Sequence, residues 1–145
     1  MSTTTDMLVH YTRAGVHAAS ADQLLAANRA ATAIGFDCWQ LDLSTTQSAA
    51  GLLRHIGQAL HFPEWYGENW DALADCLTDL SWSEAEGFIV LLHGCDALRA
   101  AHPGLWQTLL GMLGEVSDFW RENQIAFWVL VDGAADSLPA FSPDR

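Results

Sequence analysis

The chain contains no lysine. Its six basic residues are all arginine, set against 18 carboxylates, and the formal net charge is −12. Nucleic acid and anionic lipid are gripped through Lys and Arg, so a surface this poor in cations argues against both as partners. It favours a basic partner. Cysteine is also scarce. Cys38, Cys76 and Cys95 are odd in number, far apart and form no CxxC pair. That speaks against a disulfide framework and a zinc knuckle, and for buried free thiols in a reducing compartment. The apolar runs Phe88–Leu92 and Phe127–Val131 are far too short to span a bilayer. Met1–Asp6 has neither a basic region nor an apolar stretch, so no signal peptide is expected. The expectation is a soluble, cytoplasmic protein.

The common catalytic signatures are missing too. No GxGxxG, GKS or G-x-S-x-G occurs, and the six histidines show no HExxH spacing. His93 follows an apolar run close to Cys95 and Asp96, but reads as a strand-end histidine with structural hydrogen bonds.

What remains is ample for a core. Half of the residues are hydrophobic, and a length of 145 predicts a single domain. Met7–Thr12 reads as a short strand. Ser20 and Gln23 form a capping box for a helix that stops at Gly35. Phe36–Leu43 reads as a strand, and a helix from about Gln47 to Leu60 ends before Pro63. Phe88–Leu92 and Phe127–Val131 have the continuous apolar character of strands buried on both faces. Between them lies a helical turn at Cys95–Ala101, then a helix starting at Pro103 and reaching about Asn123. The segment from Gly133 to Arg145 is expected to trail off. Strands alternating with helices predict an α/β fold with a small parallel sheet.

One segment concentrates the charge. From Asn69, a suitable N-cap, Trp70, Leu73, Leu77 and Leu80 fall on one helical stripe. Glu68, Asp71, Asp75 and Asp79 fall on the opposite one. Like charges at i,i+4 each cost a helix roughly 0.2–0.5 kcal/mol. No Arg occurs between His55 and Leu98 to relieve them. Three uses of such a stripe are open: a solvated face, a carboxylate site for a metal-dependent hydrolase built on Asp71 and Asp75, or a binding face for a cationic protein.

The stretch Phe62-Pro-Glu-Trp-Tyr-Gly-Glu-Asn-Trp-Asp-Ala-Leu-Ala-Asp-Cys-Leu-Thr-Asp-Leu80 resembles the barstar family of intracellular ribonuclease inhibitors. The likeness extends more weakly from Phe36 to Val131. It implies a three-stranded parallel sheet packed against helices, with no enzymatic activity and no cofactor. Residues 36–133 are then the core, residues 134–145 a tail, and residues 1–35 an extension able to add a fourth strand. The implied partner is a basic secreted ribonuclease or related toxin, bound 1:1. An acidic adaptor for another basic protein is the alternative.

The resemblance makes Asp75 the carboxylate that takes a phosphate position in the ribonuclease active site, with Asp71 beside it. Trp65, Tyr66, Gly67 and Asn69 form the docking loop. Glu115 supplies a carboxylate from the last helix, with Asp118 and Glu122 as competitors. Ala74 stands where the family has a large aromatic, and Trp65 where it has tyrosine. Both imply a divergent cognate partner. Asp79 has no matched role beyond its field.

Overall fold

The continuous apolar runs form the two central strands of a four-stranded, all-parallel sheet. The computed structural model describes residues 3–133 and 138–143. Its elements are α1 (Thr4–Leu8), a 3-10 turn (Tyr11–Arg13), β1 (Val16–Ala18), α2 (Ala21–Ala33), β2 (Asp37–Asp42), α3 (Ala49–Ala59), α4 (Trp70–Asp79), β3 (Gly87–His93), α5 (Cys95–Ala101), α6 (Pro103–Glu122) and β4 (Ala126–Val131). The strand order is β1-β4-β3-β2. The extension therefore supplies the fourth strand.

Alternation along β3 and β4 divides the interior into two cores. Phe88, Val90 and Leu92, with Phe127, Val129 and Val131, face the side where α3, α4, α5 and α6 contribute their buried residues. Ile89, Leu91, Trp128 and Leu130 face the other, beneath Met7, Leu8, Leu24, Ala27, Ala30 and Ala31 of α1 and α2. Strands buried on both faces read as unbroken apolar runs, which is why these two were legible.

The second core carries two corrections. The expected strand at Met7–Thr12 is instead α1 followed by the 3-10 turn. Thr3 and Asp6 form a capping box: the Asp6 amide donates to Thr3 Oγ1 at 3.1 Å, and the Thr3 amide to Asp6 Oδ2 at 3.3 Å. That reciprocal cap starts a helix, and the strand is displaced to Val16–Ala18. The expected tail is also partly structured. Residues 134–137 and 144–145 lie outside the described residues, but 138–143 pack along β1. The Ala18 amide donates to Pro139 O and the Phe141 amide to Ala18 O, each at 2.8 Å. Gln23 Nε2 donates to Phe141 O at 2.8 Å, and the Phe141 side chain is buried. The segment thereby shields the outer edge of β1, where backbone groups would otherwise lack partners.

Close approach between layers depends on small residues. A Cβ on Gly87 would lie 2.4 Å from the ring of Phe36. Ala27, Ala30 and Ala31 present a low surface that lets α2 settle over the Trp128 side of the sheet.

The acidic helix and its flanking loop as a candidate binding site

Asn69 begins α4 as the sequence predicts. Its backbone is extended, and its Oδ1 accepts from the Ala72 amide at 2.8 Å, satisfying one of the orphan donors of the first turn. The helix ends at Leu80, whose φ of +48° is left-handed. Its amide donates to Cys76 O at 3.1 Å. Leu80 is buried, and that contact offsets the cost of about 1 kcal/mol or more for a non-glycine residue in this region. Another orphan carbonyl, Leu77 O, accepts from Trp120 Nε1 of α6 at 2.7 Å. An indole from the last helix thus fixes the end of α4.

Leu73, Cys76, Leu77 and Leu80 are buried, while Asp71, Asp75 and Asp79 are exposed on the opposite face. The packing holds three carboxylates at i,i+4 spacing on a rigid element. Their charge reaches inward as well: burial first, then the negative charges of Asp75 and Asp79, hold the Cys76 thiol above its ordinary range.

Glu68 differs from the expected stripe. It is a loop residue with φ +55°, one position before the cap. It is also not isolated from cations, because Arg54 of α3 brings Nε to 3.9 Å from Glu68 Oε1. The base absent from the sequence neighbourhood arrives from the preceding helix. Both side chains are largely exposed, so the pair is worth little, typically ~0–1 kcal/mol. Among the described residues no Arg pairs with Asp71, Asp75 or Asp79.

The loop ahead of α4 divides its labour. Tyr66 turns inward: its hydroxyl donates to Leu53 O of α3 at 2.9 Å, and burial pushes its pKa up to about 12. It buttresses the loop. Gly57 makes this possible, since a Cβ there would lie 2.6 Å from the Tyr66 ring. Trp65 turns outward and is 58 % exposed, with its ring edge-on to Trp82 at 6.1 Å. Gly67 carries the chain past Asn69, whose Nδ2 donates to Gly67 O at 3.4 Å. Ala74 is half-buried, and its carbonyl accepts from Thr78 Oγ1 at 2.7 Å.

Glu115 is exposed on α6, the helix that Trp120 ties to α4. Its competitor Asp118 is engaged elsewhere, in an ion pair with Arg121, which also donates to Ala14 O of the extension at 2.6 Å. Glu122 is exposed and ends α6. The structure thus gathers Trp65, Gly67, Asn69, Asp71, Asp75 and Asp79 onto one loop and helix, and sets Glu115 on the adjacent helix. Trp82, which packs on Trp65, and Gly57, which leaves room for Tyr66, are the supporting residues that sequence reasoning missed. An aromatic two residues beyond Leu80 was a readable signal for Trp82; nothing local marks Gly57.

His93 Nε2 donates to Gln40 Oε1 at 2.9 Å, not to Cys95 or Asp96. The Gly94 and Cys95 amides donate to the two oxygens of Asp132, at 2.9 and 3.0 Å. Among the described residues no group of three or more His, Cys, Asp or Glu is placed to hold a metal ion. No helix among them is long and apolar enough to cross a membrane.

Asn69→Ala tests whether the cap holds this site. The expected result is a loss of ~1 kcal/mol of stability in urea titration, with exchange protection lost first at Asp71–Leu73. An unchanged midpoint and unchanged protection would show the cap to be dispensable.

The model of one protein family, described as barstar (barnase inhibitor), matches residues 36–132. No curated protein matches the chain. The family match spans more than half of the sequence, and the chain belongs to the Barstar family.

Proposed function

We propose that this Barstar-family chain is an inhibitor that binds a basic ribonuclease 1:1 and occludes its active site with α4 and the loop before it. The observation that carries the reading is the exposed row of Asp71, Asp75 and Asp79, which no arginine among the described residues neutralises. A ribonuclease must hold phosphates with cations, so carboxylates fixed on a helix can occupy the same places. Asp75, central in the row, takes the phosphate position and Asp71 lies beside it. Trp65 and Asn69 flank them on the loop, and Ala74 leaves space where bulk would dictate the fit. Glu115 adds a carboxylate from α6. We place the protein in the cytoplasm of the cell that makes the ribonuclease, as a single domain with the extension built into its core.

Growth rescue tests this directly. The chain is expressed beside a small basic ribonuclease of the same cell. Restored growth, with ribonuclease activity titrated to zero at one equivalent in vitro, is the expected result. Unrestrained ribonuclease at saturating inhibitor would refute it. Rescue by an acidic adaptor would leave activity intact in the titration.

Opposed charge also fixes a kinetic expectation. Steered association reaches on the order of 10⁸–10⁹ M⁻¹s⁻¹ at low salt against 10⁵–10⁶ without steering. The on-rate for the ribonuclease is therefore expected to fall at least about tenfold as the Debye length shrinks from ~30 Å at 0.01 M to ~3 Å at 1 M ionic strength. A flat stopped-flow salt series would remove electrostatics from the account.

A further inference from the structure

A groove of about 410 Å³ lies between the start of β2 and the turn after α4, lined by Asp37, Trp39, His61, Trp82 and Glu84. Its walls are aromatic and held. Trp39 stacks on Phe88 with ring centroids 5.7 Å apart and planes 6° from parallel. Trp82 is braced edge-on by Phe62 at 6.0 Å and by Trp65 at 6.1 Å, yet remains 38 % exposed. The floor of the turn is tied to the strand, since Ser83 Oγ donates to Asp37 and accepts from the Ala85 amide at 3.1 Å. Asp37 and Glu84 bring two carboxylates to the same groove as the two indoles. The ion pairs among the described residues are Arg54–Glu68, Arg99–Asp96 and Arg121–Asp118, and none uses either carboxylate. β2 is an edge strand, so the groove opens outward.

An exposed indole, Trp82, a half-buried one, Trp39, and two carboxylates lining one groove suit a guanidinium. Its plane stacks on an aromatic face while its fork of donors meets a carboxylate. An ammonium is a hydrated point charge with no plane to stack. The groove is also continuous with the acidic face, because Trp82 touches Trp65 of the docking loop. We propose that it receives an arginine side chain of the basic partner, as a second anchor beside α4. The identity of that partner rests on the inhibitor reading; the preference for guanidinium does not.

The test uses the whole protein and a short probe, the peptide acetyl-Gly-Arg-Gly-amide. Indole N–H signals are followed in a nitrogen–proton correlation spectrum, with Trp82 identified by its loss in Trp82→Phe. The peptide is expected to shift the Trp82 and Trp39 signals. Glu84→Gln should weaken the response at least about twofold, and replacing Arg by Lys in the peptide should do the same. Asp75→Ala should leave it unchanged. Silence at Trp82, an equal response to the lysine peptide, indifference to Glu84→Gln, or loss in Asp75→Ala would each overturn the proposal. Because the probe is not the ribonuclease, failure to inhibit any ribonuclease and failure of this groove are separate outcomes.

Discussion

Trp128→Ala is expected to remove most of the stability of the protein. Trp128 is fully buried at the centre of the second core, and its Nε1 donates to Leu8 O of α1 at 2.9 Å. Its ring also meets His17 at 5.3 Å and Phe141 at 5.7 Å. One side chain therefore joins the sheet to α1, β1 and the C-terminal segment. Truncating a buried Trp costs about 3–5 kcal/mol in transfer and cavity terms. Leaving the Leu8 carbonyl buried without a donor adds about 1–3 kcal/mol. Domains of this size have only about 5–15 kcal/mol in total. With a urea slope near 2 kcal/mol/M, the combined loss of about 4–8 kcal/mol moves the midpoint down by about 2–4 M. Trp128→Phe narrows the causes: it keeps an aromatic ring in the core but removes the N–H donor and part of the indole, so its loss should be smaller than that of alanine and at least about 1–3 kcal/mol. A Trp128→Ala midpoint matching the parent protein would show that the second core is not what holds the extension.

That result also bears on what residues 1–35 are. The family match begins at residue 36, and the extension reads from sequence as an appendage. The described part of it covers one face of β3 and β4. The sequence reveals the need for such a cover, because Ile89, Leu91, Trp128 and Leu130 are as apolar as their neighbours on the other face. It does not reveal what provides it.

Most of the short-range chemistry was legible. The Ser20–Gln23 capping box, the Asn69 cap and Pro103 at the start of α6 all occur where the residues indicate. Each is settled within three or four residues. What escaped depends on partners distant in the chain. Phe141 is held by Ala18 and Gln23, Arg54 reaches Glu68 from another helix, and Trp82 meets Trp65 across the length of α4. The α1 error has a different cause: Thr3 and Asp6 carried a capping signal, but the apolar residues after it suggested a strand. At the site, the helix faces were readable from periodicity, whereas the inward turn of Tyr66 was not. Trp65 and Tyr66 are adjacent in sequence, and the space over Gly57 together with the Leu53 carbonyl takes the Tyr66 ring inside while Trp65 stays out.

Asp75→Ala should make the protein more stable and a far poorer inhibitor. Asp75 is exposed and stands between Asp71 and Asp79, one turn from each. Removing it relieves two like-charge i,i+4 contacts, a gain of roughly 0.4–1 kcal/mol, and alanine adds helix propensity. Binding should move the other way. A central interfacial carboxylate meeting a desolvated cation behaves as a hot spot, so its loss costs at least about 2 kcal/mol, or about 30-fold in Kd. The cost falls mainly on the off-rate, since the partner's cations are left buried without their anion. Asp79→Ala is the control, because it relieves one repulsion and trims the field at the end of the helix. It should slow association modestly and leave dissociation unchanged. Inhibition titrations and urea curves on the same two variants decide the matter. Undiminished inhibition by a folded Asp75→Ala variant would move the site off this face of α4. Opposite signs for stability and binding would show that Asp75 is retained against the interest of the helix that carries it, for a partner that supplies the missing cations.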